Sequence, residues 1–375
     1  MIYIFTLFFG CMFFQAYIEN KSRVDIGVIS TLSGDDAHLG KSVLNGIIMG
    51  AEEFNSNRNF YKKKMNLIIR DDKNDPLEAK QVARELIDEG VVALLGPVLP
   101  DTGLSAREAA NNRKKPMIST AVRAKKPSDS DDYFMGIAPS QDKNAKFIAE
   151  ISKDYFNMKK VLFFYSDKNP AYMDAFRDKY IEEFEKKSES ENTVYIKRKS
   201  DKIDTYFPSM KDDIDGVIIV ADPIETAYIV QKIKKIKKDM KIFISDLAFH
   251  QNFITYGGKF SEGVYAALYY DDIYLDEKSS FLNQRFADFK KRYVKKFGKN
   301  PDIRSIYGYE SFNILVEAIK RNKDGDSENL KKEILLPESD AYFLQPGSFD
   351  EYGNCERDIF IFQVKDQRFQ KVKLL

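Results

Sequence analysis

The sequence predicts an α/β protein built from two lobes, each a mostly parallel sheet with helices on both faces. Short β-branched runs alternate with amphipathic helical segments from Val24 to Thr120, in the order βαβαβαβ, and a second alternating series begins at Ile137. The chain has 375 residues, which is long for one domain and sufficient for two hydrophobic cores. We therefore expect each half to be a Rossmann-like, flavodoxin-like unit.

The first βα unit is the clearest of the series. Val24 and Ile26 begin a β-branched run, and a loop of small and polar residues leads to a helix that we expect to begin after Gly40. Apolar residues recur along that helix at a spacing of three and four, at Leu44, Ile47, Ile48, Ala51 and Phe54. Gly46 and Gly50 share one face, which predicts that the helix approaches the sheet closely. The loop lies at the carboxyl end of the strand, where open α/β sheets hold ligands.

The remaining elements follow from caps, stop signals and periodicity. Asp75 is a suitable N-cap for a helix with Pro76 at its first position, and Gly90 ends that helix. Further helices are predicted at about 101–112, 141–155, 170–185, 224–238, 279–297 and 305–320. Further strands are predicted at 65–70, 91–95, 116–120, 161–165, 193–197, 216–221, 241–245, 359–364 and 369–374.

Composition excludes several classes of function. Lys and Arg total 59 against 58 Asp and Glu, so no bulk charge attracts nucleic acid or an anionic membrane. A basic run at 232–238 alternates with apolar residues at helical spacing, which indicates a solvated helix face. Two cysteines and two histidines give neither a disulfide framework nor the spacing of a zinc site, so no metal or cofactor is expected.

The N-terminal residues 1–22 are interpreted as an export leader. The first 18 residues carry no charged side chain, a length that suits the apolar region of a signal peptide and is marginal for a membrane span. Gly10-Cys11 resembles the end of a bacterial lipobox, in which the cysteine is lipidated. Two products stay open, a lipoprotein anchored through Cys11 and a soluble exported protein; an uncleaved anchor is the third reading.

Ordered short motifs resemble those of type I periplasmic binding proteins, specifically the branched-chain amino acid and amide (Leu/Ile/Val-binding) proteins of ABC importers. The opening motifs are Leu32-Ser33-Gly34, Gly40 and Glu53-Phe54-Asn55, followed by Asp71-Asp72 with Asp75-Pro76 and by Gly96-Pro97. The strand Lys-Pro-Met-Ile-Ser-Thr at 115–120 and the hairpin Phe349-Asp350-Glu351-Tyr352-Gly353 complete the series. The resemblance extends over essentially everything after the leader.

This resemblance implies a domain organisation and a function. The chain of such a protein crosses between its lobes three times, and we place these hinge crossovers near Ile137, Tyr269 and Glu356. The N-terminal lobe would then comprise 23–137 plus 270–355, and the C-terminal lobe 138–269 plus 356–375. The implied function is capture of an amino acid or similar small polar ligand by hinge closure and its delivery to an ABC permease, in the periplasm or at the outer face of the cell membrane.

The resemblance also nominates ligand-binding residues in the N-terminal lobe. Family members hold a ligand carboxylate with a Ser after the third strand, and Pro100 occupies that place here. Thr102 can substitute for it, or can simply cap a helix. After the fourth strand the family has Ala-x-Thr, which corresponds to Ala121 and Arg123; an Arg here is either a bidentate partner for a carboxylate or phosphate, or a surface residue.

In the second lobe of family members, an acidic residue, often accompanied by tyrosines, binds the ligand ammonium. Tyr172 follows Asp167 at the family's spacing and is expected to pack over the ligand. Asp222 and Asp246 each follow a strand, where a carboxylate suits an ammonium or several hydroxyls. Their alternative role is helix capping, for which Asp222 before Pro223 is a natural choice.

Two other classes of function stay open. Some lipoproteins resembling this fold activate cell-wall synthases through protein contacts and bind no ligand; a cleft filled by the protein's own side chains would favour that role. The second class is an enzyme. Neither a Gly-x-Gly-x-x-Gly motif opening a helix after a strand nor a Walker motif occurs, so a nucleotide-dependent enzyme would lack its phosphate-binding loop. Asp71-Asp72 is interpreted as a solvated turn rather than as an acid/base pair.

Overall fold

The computed structural model describes residues 23–56, 63–120, 132–138, 141–166, 170–185, 193–198, 214–269, 281–323, 325–336, 348–350 and 352–372. Three predicted functional residues, Cys11, Ala121 and Arg123, lie outside these ranges together with the leader. Among the described helices, none has the combination of length and apolar character that crossing a bilayer requires.

The first sheet has five strands, all parallel, in the order β2-β1-β3-β4-β5. Its strands are β1 (Arg23–Ser30), β2 (Lys64–Asp71), β3 (Leu94–Leu95), β4 (Met117–Ser119) and β5 (Phe134–Gly136). The connecting helices are α1 (Ala37–Ser56), α2 (Pro76–Asp88) and α3 (Pro100–Asn112). Asp75 caps α2 as predicted, accepting hydrogen bonds from the backbone N–H groups of Leu77 and Glu78.

The second sheet has seven strands in the order β14-β13-β10-β9-β8-β6-β7. Its strands are β6 (Lys160–Tyr165), β7 (Thr193–Arg198), β8 (Gly216–Val220), β9 (Lys241–Ile244), β10 (Tyr265–Leu268), β13 (Phe360–Lys365) and β14 (Arg368–Lys371). Strands β6 to β10 pair in parallel, whereas β13 is antiparallel to both β10 and β14. The connecting helices are α4 (Gln141–Glu150), α5 (Pro170–Glu185), α6 (Pro223–Ile236) and α7 (Gln251–Gly257).

The chain passes between the two sheets three times. It leaves the first sheet after β5, and after β10 it returns as α8 (Phe281–Phe297), α9 (Ile303–Arg321) and α10 (Ser327–Leu335). Residues of α9 and α10 share one apolar core with β1 and α1, so this late segment belongs to the first sheet. The small hairpin β11 (Ser348–Phe349) and β12 (Cys355–Glu356) precedes the final entry into β13. The lobe boundaries at 137, 269 and 356 stay a prediction.

The start of α1 differs from the sequence analysis. The helix begins at Ala37, so Gly40 lies inside its first turn and does not precede it. A Cβ at Gly40 would lie 1.8 Å from the carbonyl oxygen of Thr31. The glycine is therefore required by close packing of the first helical turn on the end of β1, a tertiary contact that local sequence does not reveal.

The partner of the α1 glycines also differs from the prediction. A Cβ at Gly46 would lie 1.8 Å from the carbonyl oxygen of Ser305, and one at Gly308 would lie 2.1 Å from that of Val43. Gly50 faces the ring of Phe312. The close approach is thus between α1 and α9, and not between α1 and the sheet. Two backbones meet here because each helix lacks a side chain at the crossing point.

The glycine contact gives a direct test of this packing. Gly46→Ala is expected to lower the free energy of unfolding by about 3 kcal/mol, since the added methyl group collides with backbone. Intrinsic helix propensity alone would act in the opposite direction, by about 1 kcal/mol. The measurement is denaturant unfolding followed by circular dichroism. Lys41→Ala, on the exposed face of the same helix, should stay within about 0.5 kcal/mol of wild type; equal stability of the two variants would contradict the packing.

Candidate functional site

A cavity of about 670 Å³ lies where the carboxyl ends of the parallel strands of both sheets converge. From the first sheet its wall includes residues after β1, β3, β4 and β5, represented by Asp35, Leu99, Thr120 and Ala138. From the second sheet it includes Ser166, Asp222, Asp246 and Tyr269, which follow β6, β8, β9 and β10. This is the position at which open α/β sheets bind ligands. The first turn of α9 closes one side.

Asp246 and Tyr172 form a polar pair on the second-sheet side of this cavity. The Tyr172 hydroxyl donates a hydrogen bond to Oδ1 of Asp246, and its ring is almost fully buried, stacked on Phe176. Desolvation raises the pKa of Asp246, while the Tyr172 hydroxyl and the charge of Arg304 act in the opposite direction. Burial also raises the pKa of Tyr172 well above its ordinary value, so its hydroxyl stays protonated and remains a donor. Both residues, predicted from sequence, line the cavity.

Asp222 caps a helix, as predicted, and also lies in the cavity wall. Its carboxylate accepts hydrogen bonds from the backbone N–H groups of Ile224 and Glu225, at 3.0 and 2.9 Å, and so caps α6. Pro223 occupies the first helical position, as the capping prediction required. The residue also lies in the cavity wall. An aspartate held by two backbone donors is fixed in position, so its carboxylate occupies a defined point of the wall.

Thr102 lies behind the wall, in the interior of the first lobe. Its side chain is fully buried in the first turn of α3 and donates a hydrogen bond to the carbonyl oxygen of Leu99, at 3.1 Å. It also lies within hydrogen-bonding reach of Asp72. The residues that line the cavity at this point are Leu99 and Pro100. The structure therefore does not bring Thr102 to the cavity wall with Tyr172, Asp222 and Asp246.

Asp72 corrects the interpretation of Asp71-Asp72 as a solvated turn. Its side chain is fully buried and accepts hydrogen bonds from Oγ1 of Thr31 at 2.7 Å and from the backbone N–H of Asn74 at 3.0 Å. Desolvation raises the pKa of Asp72. Asp71 remains partly exposed and accepts a hydrogen bond from the N–H of Leu32 at 2.8 Å. The two carboxylates thus connect β2 to the loop after β1, next to Lys73 and Asn74, which line the cavity.

Sequence reasoning missed two polar residues of the first-lobe wall. Thr120 follows β4, and its buried hydroxyl oxygen has no hydrogen-bond partner in the described part of the chain. Arg304, in the first turn of α9, is half-buried in the wall. The predicted start of this helix was Ser305, whereas Asp302 caps a helix that starts at Ile303. Asp302 after Pro301 was the available signal for the earlier start, but no local pattern places Arg304 in a cavity.

His250 adds a donor to the second-lobe wall. It caps α7 by accepting a hydrogen bond at Nδ1 from the backbone N–H of Asn252, at 3.0 Å. Burial lowers the pKa of His250, and the neighbouring charge of Arg304 adds to this effect. A neutral imidazole that accepts at Nδ1 carries its proton on Nε2, so this side of the wall holds an N–H donor.

A buried ion pair supports the α9 side of the wall. Nη2 of Arg357 donates to Oε2 of Glu310 at 2.7 Å, and both side chains have 0% exposure. The guanidinium also lies over the ring of Tyr307, 5.5 Å from its centroid, and Tyr307 lines the cavity. Because Arg357 follows β12, this pair connects the last passage between the sheets to the wall. Within the described ranges, no group of three or more His, Cys, Asp or Glu residues could hold a metal ion.

Solved structures show the same fold. The leucine binding protein LivK of Thermotoga maritima matches with a TM-score of 0.80 and 21% identity, covering 93% of this chain and 98% of that one. The branched-chain amino acid transporter substrate binding protein LivJ of Streptococcus pneumoniae, in complex with isoleucine, matches with a TM-score of 0.78 and 18% identity, covering 93% and 99% of the two chains. At these identities the likeness concerns the fold alone.

One relative is a much longer protein than this chain. Glutamate receptor 2.8 of Arabidopsis thaliana is 25% identical over 205 residues, which are 52% of this chain. The chain spans 21% of that receptor's length, so only a part of the receptor corresponds to it.

The family itself is established by a match over nearly the whole described chain. The family model described as "Periplasmic binding protein" matches residues 23–368, from the first residue of β1 into β14. This range includes both sheets and every strand end that contributes to the cavity. The chain therefore belongs to the periplasmic binding protein family.

Proposed function

We propose that this protein is the exported solute-binding component of an ABC importer and that it captures an amino acid or a similar small polar molecule. The observation that carries the proposal is a cavity of about 670 Å³ at the strand ends of both sheets, with the carboxylate of Asp246 held in its wall by Tyr172. A carboxylate in a desolvated cavity suits a ligand ammonium group. The names of the solved relatives, which bind leucine or isoleucine, support the same class of solute.

The polar groups of the two sheets have complementary roles in this proposal. Asp246 accepts hydrogen bonds from the ammonium, Tyr172 fixes the orientation of that carboxylate, and Asp222 supplies a further acceptor. The hydroxyl of Thr120 meets the polar groups at the other end of the solute. Ala121 and Arg123 lie outside the described residues and stay predicted contacts of the solute; Thr102 acts from behind the wall, through the backbone of Leu99.

Closure follows from the position of the cavity. A solute that contacts Asp246 and Thr120 at once binds both sheets, so it stabilises an arrangement in which the two sheets approach each other. We place the closure at the passages near 137, 269 and 356. The closed form would then be the one that an ABC permease recognises, in the periplasm or, with a lipid on Cys11, at the outer face of the cell membrane.

The structure also bears on the alternative of a ligand-free scaffold. Such a protein has no need of a cavity, and its own side chains are free to fill the space between the sheets. Here the space is open, and it is lined by polar groups that include a hydroxyl without a hydrogen-bond partner among the described residues. These features favour a small-molecule ligand. Pro100, which stands where the family has its carboxylate-binding Ser, occupies only one point of the wall.

The proposal is tested by calorimetry with the twenty L-amino acids. At least one is expected to bind wild type, and Asp246→Asn should weaken that binding about 100-fold, because a charge-assisted hydrogen bond is lost. Asp239→Asn removes an exposed carboxylate outside the cavity wall and should bind like wild type. Silence of the whole panel, or unchanged binding by Asp246→Asn, would contradict the proposal.

The ionised carboxylate of Asp246 should also lower the stability of the folded protein. Because burial raises its pKa, the folded state is favoured when the carboxyl is protonated, and this contribution is lost as the pH rises through the raised pKa. Asp246→Asn does not titrate, so its Tm at pH 7 should exceed that of wild type by a few degrees. The difference should vanish below about pH 3.9, where aspartate is protonated in the unfolded chain too.

Differential scanning calorimetry of ligand-free protein between pH 3.5 and 8 measures this difference. Asp239→Asn should show no such pH-dependent gain. If Asp246→Asn unfolds at a lower temperature than wild type at pH 7, then Asp246 stabilises the fold in its ionised form, and the assignment of a function-specific carboxylate is wrong.

A further inference from the structure

Arg304 presents a cation in the cavity wall. It lies in the first turn of α9, is half-buried, and lines the cavity together with its neighbours Ile303 and Tyr307. Its charge acts on Asp246 and on His250, which belong to the second-sheet side. Yet no carboxylate within 4.0 Å of the guanidinium is found in the described part of the chain. Arg304 and Asp246 thus share the cavity without forming an ion pair.

The other cation of the wall has a partner. Nζ of Lys73 lies 2.7 Å from Oε1 of Glu78, and the lysine side chain is 60% exposed at the rim. Arginines elsewhere on the same group of helices are paired as well: Arg292 with Glu53 at 2.8 Å, and Arg321 with Glu333 at 2.7 Å. Arg304 therefore differs from its neighbours in having its donors available to the cavity.

An unpaired guanidinium becomes costly when the cavity closes. A charged group that loses its water without gaining a partner is strongly disfavoured, whereas a carboxylate provides two oxygens in the geometry that the guanidinium fork prefers. A neutral solute would leave Arg304 desolvated and unpaired in the closed form. A solute with a carboxylate supplies the missing charge. The guanidinium of Arg304 thus favours solutes with a carboxylate among the small polar molecules that fit the cavity.

We propose that Arg304 binds a carboxylate of the solute in a bidentate pair, and that the solute is consequently a zwitterion whose ammonium meets Asp246. This inference rests on the proposed function and narrows it: amides, amines, polyols and nucleosides without a carboxylate are poor ligands. It also accounts for Pro100, which cannot donate a hydrogen bond to a carboxylate after β3. Recognition of the carboxylate is instead placed on α9, a different part of the chain.

The carboxylate has two sources in an amino acid, the α-carboxyl group and an acidic side chain. Two matched pairs of probes separate them. L-Leucine and L-leucinamide differ at the α-carboxyl group, whereas L-glutamate and L-glutamine differ at the side chain. The experiment measures the Kd of each probe by isothermal titration calorimetry at pH 7, for wild type, Arg304→Gln and Arg304→Lys, with Arg292→Gln as the control that removes an arginine outside the cavity wall.

In one of the two pairs, wild type is expected to bind the acid at least 100-fold more tightly than the amide. Arg304→Gln should weaken binding of the acid by 10- to 100-fold and binding of the amide by less than threefold, so the ratio of their Kd values falls. Arg304→Lys should restore part of that ratio. Arg292→Gln should behave as wild type. If Arg304→Gln loses the discrimination between L-leucine and L-leucinamide, Arg304 binds the α-carboxyl group. If it loses the discrimination between L-glutamate and L-glutamine, Arg304 binds the side-chain carboxylate.

Equal binding of acid and amide by wild type, or an equal loss for both in Arg304→Gln, would overturn the inference. If neither acid binds wild type, the pairs are replaced by the amino acid that binds in the panel of twenty and its α-amide, and equal binding of those two overturns the inference. The proposed function fails separately: it is contradicted only when all twenty amino acids are silent, or when Asp246→Asn binds as wild type does. A solute that binds through Asp246 and ignores Arg304 would therefore leave the function standing and remove this inference alone.

Discussion

The contact of α1 with α9 is the constraint on which the cavity depends. At the crossing of these helices, Cβ atoms on Gly46 and Gly308 would lie 1.8 and 2.1 Å from carbonyl oxygens of the opposite helix. No residue but glycine fits on either side. The crossing fixes α9 against the first sheet, and the first turn of α9 then contributes Ile303, Arg304 and Tyr307 to the cavity wall. Residues from distant parts of the chain thereby form one cavity wall.

The charges in that surface are consequently distributed over separate parts of the molecule. Arg304 depends on the helix crossing, whereas Asp246 depends on the register of β9 in the second sheet. Their separation leaves both groups available to a ligand, since a direct ion pair would satisfy them without one. A zwitterion that enters the cavity meets complementary charges on opposite sides. In the proposed function, the approach of the two sheets is therefore favoured only when a suitable solute lies between them.

The sequence predicts those features that depend on neighbours in the chain. The caps at Asp75 and Asp222 were predicted correctly, because an aspartate before a proline is a local signal. The order of strands and helices followed from periodicity for the same reason. The partner of Gly46, the burial of Asp72 and the position of Arg304 were not predictable, since each depends on a contact with a distant segment. The cavity could be located at the strand ends, and its carboxylates Asp222 and Asp246 could be named, but its guanidinium, that of Arg304, could not.

The buried pair of Arg357 and Glu310 limits where the proposed closure would take place. Both side chains are fully buried, and Arg357 lies between β12 and β13, on the last passage into the second sheet. Separating a buried ion pair costs about 3–5 kcal/mol, more than a typical coupling energy of about 1–3 kcal/mol between sites. A rotation of the sheets should therefore leave this pair intact. In the proposed closure, the passage would then bend after Arg357 and before β13 begins at Phe360, and Arg357, Tyr307 and the α9 wall would move with the first sheet.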